Sequence, residues 1–227
     1  MRKSLLVPAL AALALATPAL ADHHLMRIVQ VYGGDVSNPD AQYAVLQMCF
    51  GGQNVLGGHT VHFFDATGAE IGSGPAFPGN VANGASQSKV LIATSTAVLA
   101  FDLAADLVVP ARILPAGGKF CFETAAPIDC VAWGNYSGSS TGVGTPYGVG
   151  SGIPPGSAIQ RDLAIDGGAT TLECLGDFDD TDNSASDFVE VTPSPGNNAG
   201  ASGSINPDLI FLHGFENNST TGWSPVS

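Results

Sequence analysis

Short runs with strand character, separated by turn residues, set the frame of this chain. LMRIVQVY (25–32), QYAVLQMCF (42–50), HTVHFFD (59–65), SKVLIAT (88–94), KFCFE (119–123), DCVAWG (129–134) and SAIQRDLAI (157–165) lie between stretches rich in glycine, proline, asparagine and serine. In the first run Met26, Ile28 and Gln30 alternate with Leu25, Arg27, Val29 and Val31. Period-two alternation in runs this short fits strands rather than helices. The pattern predicts an all-β fold, a β-sandwich of roughly seven to nine strands joined by long Gly/Pro/Ser loops. One stretch, TAVLAFDLAADL (96–107), reads as a short helix ended by Pro110. The apolar strands beside Trp133 supply enough material for one core.

The first residues read as an export signal. Arg2 and Lys3 precede an apolar run from Leu5 to Leu15, and Ala19-Leu20-Ala21 has the small-x-small form of a cleavage site. The run is short of the roughly 20 residues needed to span a bilayer. The expectation is a leader at 1–21 and a secreted chain, extracellular or on the cell surface, that begins at Asp22 and does not insert in a membrane.

Charge narrows the partners. Without Arg2 and Lys3, five basic side chains face 20 acidic ones. Phosphate contacts from Lys and Arg supply most nucleic-acid affinity, so a nucleic-acid partner is excluded. An extracellular protein or a glycan is the partner class that remains. No Lys or Arg follows Arg161, whereas 11 acidic residues do.

The four cysteines, Cys49, Cys121, Cys130 and Cys174, imply two disulfides in an exported chain. The sequence has no Cys-x-x-Cys pair, so zinc fingers are poorly supported. Three connectivities are open. Cys49–Cys121 with Cys130–Cys174 is preferred here, because a Cys121–Cys130 bond would join neighbouring strands of one hairpin.

The last third changes character. Residues 135–156 form a Gly/Ser/Pro loop that is mobile or wraps a surface, 192–208 reads as a flexible linker, and 209–227 as a separate tail. The succession Gly156, Ser157, Arg161, then Asp180, Asp182, Asn183, Asp187, Phe188, then Pro193, Pro195, Gly196, Asn197 resembles the closing strands of bacterial lamin-tail domains. The resemblance covers roughly residues 25 to 198 and is most specific from 129 onward. It implies an immunoglobulin-like fold over 22–191 and an interaction or structural role, with no catalytic centre. It also implies that Asp187 caps a turn and Phe188 enters the core at the start of the final strand. The tail, IFLHGFENNSTTGWS, resembles a short element that recurs at the ends of exported bacterial proteins.

Catalysis finds little footing. No Gly-x-Ser-x-Gly elbow is present. His59 and His62, three apart on a strand, point to opposite faces and make no ligand pair. Glu70, Glu123, Glu173 and Glu190 lack a recognisable glycosidase setting. An extracellular hydrolase is therefore the third reading, after a calcium- or carbohydrate-dependent binding module.

Two metal sites are candidates. DFDDTDNSASDF (177–188) crowds Asp177, Asp179, Asp180 and Asp182 together, and a hard cation such as calcium relieves such repulsion. The loop nevertheless fits the EF-hand spacing poorly, and a solvated loop is the alternative. Arg161, the last basic residue before it, is expected to pair with Asp180 or Asp187. The second candidate is the new terminus. Asp22-His23-His24 offers an amine, two amides and the His24 imidazole to Cu(II) in one plane.

Overall fold

A computed structural model describes residues 23–165, 171–174 and 179–205. The leader, Asp177 and the 209–227 tail lie outside the described residues. Nine strands form two sheets: β1 (Met26–Tyr32), β2 (Tyr43–Met48), β3 (Val61–Asp65), β4 (Lys89–Ala93), β5 (Leu107–Val108), β6 (Gly117–Phe122), β7 (Asp129–Gly134), β8 (Ala158–Arg161) and β9 (Phe188–Val191). One sheet has six strands in the order β5-β4-β2-β1-β8-β9, and the other three in the order β3-β6-β7. All described pairings of named strands are antiparallel except β4 with β5. The architecture is a β-sandwich; seven of its nine described strands fall in the alternating runs, while β5 lies at the end of the stretch read as a helix and β9 lies outside the runs.

Alternation decides which side chains meet between the sheets. Ala44, Leu46 and Met48 of β2 and Val90 and Ile92 of β4 face Phe120 and Phe122 of β6 and Val131 and Trp133 of β7. Trp133 is fully buried, and its indole Nε1 donates to the Leu114 carbonyl at 2.9 Å. Gly118 lies opposite Trp133 in the ladder, where a Cβ would stand 2.8 Å from the Phe64 carbonyl oxygen.

The alternation of β1 is broken. Its register against β2 shifts between Ile28 and Gln30, the signature of a β-bulge. Met26, Ile28 and Val31 therefore share the inter-sheet core, while Val29 and Tyr32 join the opposite face. Gln30, expected beside Met26 and Ile28, instead accepts a hydrogen bond from the Tyr43 hydroxyl and donates to Gln160 at 2.7 Å.

The outer face of the large sheet is also covered. Tyr43, Val45, Leu91 and Ala93 pack there with Ala97, Phe101, Leu103 and Leu172. This explains why all six residues of β2 are buried, as in a central strand covered on both sides. Part of the cover is α1 (Ser95–Ala100), whose N-cap Thr94 accepts from the Ala97 N–H at 3.0 Å. The helix is shorter than the expected 96–107. Asp102 turns the chain at positive φ, and Leu107 and Val108 are drawn into β5 beside β4.

The disulfides correct the preferred connectivity. Cys49 bonds Cys174, and Cys121 bonds Cys130. Cys121 and Cys130 sit directly opposite in the β6–β7 ladder, with Cα atoms 4.1 Å apart. They belong to the outer face of the small sheet, whereas Cys49 and Cys174 belong to the outer face of the large one. Facing sheets stand about 10 Å apart, so the Cys49–Cys121 and Cys130–Cys174 bonds would have to cross the core.

The described parts of both long stretches pack on the sandwich. Within 135–156, Tyr136, Val143 and Ile153 are buried, and Tyr147 runs beside Trp133, donating to the Ala132 carbonyl and accepting from the Gly134 N–H. The first part of the expected 192–208 linker packs on the sandwich. Asn197 donates to the Ala104 carbonyl, and Asn198 donates to the carbonyls of Asn83 and Lys89. Both asparagines are buried. Their amides supply backbone partners that a Gly/Pro/Asn composition does not reveal.

Candidate functional site

Arg161, at the end of β8, is 1% exposed and organises the acidic segment. Its Nη2 lies 2.8 Å from Asp129 Oδ2, and its Nη1 lies 3.1 Å from Asp180 Oδ1 and 3.7 Å from Asp187 Oδ2. It also donates to the carbonyls of Ile28 and Asp179. The guanidinium stacks over the Phe188 ring, 4.8 Å from its centroid. A planar fork with five donors suits such a buried hub better than an ammonium would. Asp129 was not singled out in the sequence. It opens β7, far along the chain from Arg161, and its Oδ2 also accepts from the Ile28 N–H at 2.6 Å. Burial pushes the Asp129 carboxyl up to about 6 despite the pull of Arg161 and Arg27.

The remaining carboxylates of the segment take separate structural tasks. Asp179 is buried, and its Oδ2 accepts from the Glu173 N–H at 2.6 Å. Asp180 also pairs with Arg27 at 2.7 Å, so two guanidinium groups already neutralise it. Asp182 is exposed, at positive φ. Asp187, in the one-turn helix α2 (Ser184–Asp187), accepts from the Thr181 N–H and hydroxyl and from the Asn183 N–H. Burial raises its carboxyl, and those hydrogen bonds pull against the rise. Phe188 starts β9 in the inter-sheet core. Of the described aspartates in the 177–188 segment, Asp179, Asp180 and Asp187 are held by arginines and by backbone or hydroxyl donors, while the Asp182 carboxylate is exposed.

A second cluster gathers elsewhere. His23 precedes β1, His59 precedes β3 and Glu123 follows β6. One ligand atom from each lies within 4.8 Å of the other two, and among the described residues this is the group of three ligand side chains so placed. His59 Nδ1 is 2.9 Å from Glu123 Oε1, which also accepts from the Thr60 N–H at 2.9 Å. The His23 ring is buried, with its centroid 3.3 Å from that of His59 and 4.4 Å from that of the exposed His24. Partial burial acts to raise the Glu123 carboxyl, but hydrogen bonds from Thr60 and His59 and the fields of His59 and His23 outweigh it and hold the group below its ordinary range. His62 is separate and pairs with Glu70 at 2.6 Å. The sequence separates His59 from His62 but gives no signal for its meeting with His23 and Glu123, because His23 precedes a strand of the large sheet and His59 and Glu123 flank strands of the small one.

The surface also carries a polar recess of about 330 Å³, lined by Ser86, Gln87, Lys89, Asn197 and Ser202 among others, with no aromatic side chain in its wall. No described helix is long and apolar enough to cross a membrane. Comparison with family models, with curated proteins and with solved structures finds no match to this chain.

Proposed function

We propose that this chain is an exported β-sandwich of the lamin-tail kind, immunoglobulin-like in its arrangement, that serves as a non-catalytic interaction or structural module. The observation that carries the reading is the use to which the motif residues are put. Arg161, Asp180, Asp187 and Phe188 turn inward on one another, Ser157 donates to Glu190 at 2.6 Å, and Asn197 fastens the segment after β9 to the Ala104 carbonyl. Such packing is what a fold-specifying motif requires, and it engages Arg161, Asp180 and Asp187 in mutual contacts. Two disulfides suit an oxidising compartment.

Two measurements test the reading together. Cell fractionation should find the chain in the medium or on the surface, with its four cysteines oxidised. The purified protein should bind a cell-surface polysaccharide or envelope protein saturably, without turning over glycoside, ester, phosphodiester or peptide substrates. Turnover that follows the homogeneous protein and disappears in Glu123→Gln or Glu70→Gln would replace the module by a hydrolase.

A further inference from the structure

We infer that His23, His59 and Glu123 form a binding site for one zinc-class divalent cation, which clips the start of the chain to the small sheet. Two imidazoles and one carboxylate are the donor set of open zinc sites, with a fourth position left for water or another side chain. Hard cations such as calcium prefer all-oxygen shells, so the two imidazoles select against them.

The site is built before the ion arrives. Glu123 lies just beyond β6, two residues past Cys121, which is bonded to Cys130 in the neighbouring strand. Its carboxylate is clamped by the Thr60 N–H at 2.9 Å while its own N–H donates to the Thr60 carbonyl at 3.0 Å. Glu123 holds φ at 63°, a left-handed conformation that a residue with a Cβ rarely adopts. Strain of this kind gathers where a side chain must be aimed. The His23 ring is fixed by an edge contact with Phe122, centroids 5.8 Å apart, and by its stack on His59. His59 and Glu123 remain partly exposed, at 28% and 22%, which leaves an entry path.

The arrangement differs from the copper site expected at the terminus. That site needs a free amine at Asp22, two backbone amides and the His24 ring. The folded site needs His59 and Glu123, which lie far along the chain, and not the His24 ring. The experiment is a zinc titration of the chain beginning at Asp22 by competition with a chromophoric chelator, with thermal melts run in zinc and in chelator. One zinc per chain is expected, and at about 100-fold excess over Kd the melting midpoint should rise by about 5–10 °C. His59→Ala and Glu123→Gln should each weaken zinc binding at least tenfold and remove the rise, while His24→Ala and His62→Ala stay within about twofold of the parent. Far-UV circular dichroism checks the fold of each variant, and His59→Gln replaces His59→Ala if the latter is perturbed. The inference is overturned if the parent takes up no zinc, if His59 and Glu123 variants bind it as tightly as the parent, or if binding disappears only in His24→Ala.

Discussion

Replacing Arg161 by alanine removes the hub of the acidic segment. The guanidinium is 1% exposed and pairs with Asp129, whose side chain is 2% exposed. The variant would leave the buried Asp187 without its counter-charge, Asp129 with only the field of Arg27, and the Ile28 and Asp179 carbonyls without their Arg161 donors. Breaking one side of a buried ion pair costs about 3–5 kcal/mol. In a domain of this size each kcal/mol lowers the melting midpoint by about 2–4 °C, so the expected fall is about 6–20 °C. The loss should depend on pH with a definite sign. Burial already holds the Asp129 carboxyl at about 6, above its ordinary 3.8, and removing Arg161 raises it further. A carboxyl raised by folding destabilises the folded state most above its folded pKa, and the penalty is relieved as pH falls through that value. Chemical denaturation of parent and variant at about pH 7.5 and about pH 5 should therefore show the larger deficit at the higher pH. A melting midpoint unchanged by Arg161→Ala, or a deficit equal at both pH values, would refute the hub.

Non-reducing peptide mapping should recover Cys49 linked to Cys174, and loss of that bond should cost more than loss of Cys121–Cys130. Their sequence separations are 125 and 9, which in the chain-entropy model correspond to about 5 and about 2.5 kcal/mol, compared by denaturation of Cys174→Ala and Cys130→Ala paired with the matching partner change. Asn198→Ala should lose about 1–3 kcal/mol, since it strands the carbonyls of Asn83 and Lys89; a melt identical to the parent would mean that the 192–203 stretch is not docked in solution. Millimolar calcium should leave the melting midpoint unchanged, because Asp180 is already neutralised by Arg27 and Arg161; a rise abolished by Asp182→Asn would restore the acidic segment as a cation site.

The strands were legible because alternation and turn residues are local signals. Phe120, Phe122, Val131 and Trp133 alternate with Cys121, Cys130 and Ala132, and each set takes its own face. The β1 bulge was not legible, since nothing in MRIVQVY marks the position where the register slips. The disulfides were hidden for a related reason: a pairing follows from which outer face a cysteine occupies, and the face follows from topology. Composition misled at 192–203, where asparagines that read as linker use their amides to satisfy buried backbone. Arg161 was recognisable as an anchor, but Asp129 was not, because the two become neighbours only through β1, β7 and β8.

The short disulfide bears on the order of events as the chain is made. In the oxidised chain Cys49 has three possible partners, and Cys121 and Cys130 are both nearer to it in sequence than Cys174. Either wrong bond would trap the chain until slow thiol exchange released it, a process of seconds to hours. Cys121 and Cys130 close the shortest loop, a separation of nine, and a hairpin forms in about 1–10 μs, far faster than thiol exchange, so their thiols are held together while oxidation proceeds. Once Cys121 and Cys130 are bonded, neither offers a thiol to Cys49. The local bond thus leaves Cys174 as the one thiol that Cys49 can pair with, the pairing the structure shows.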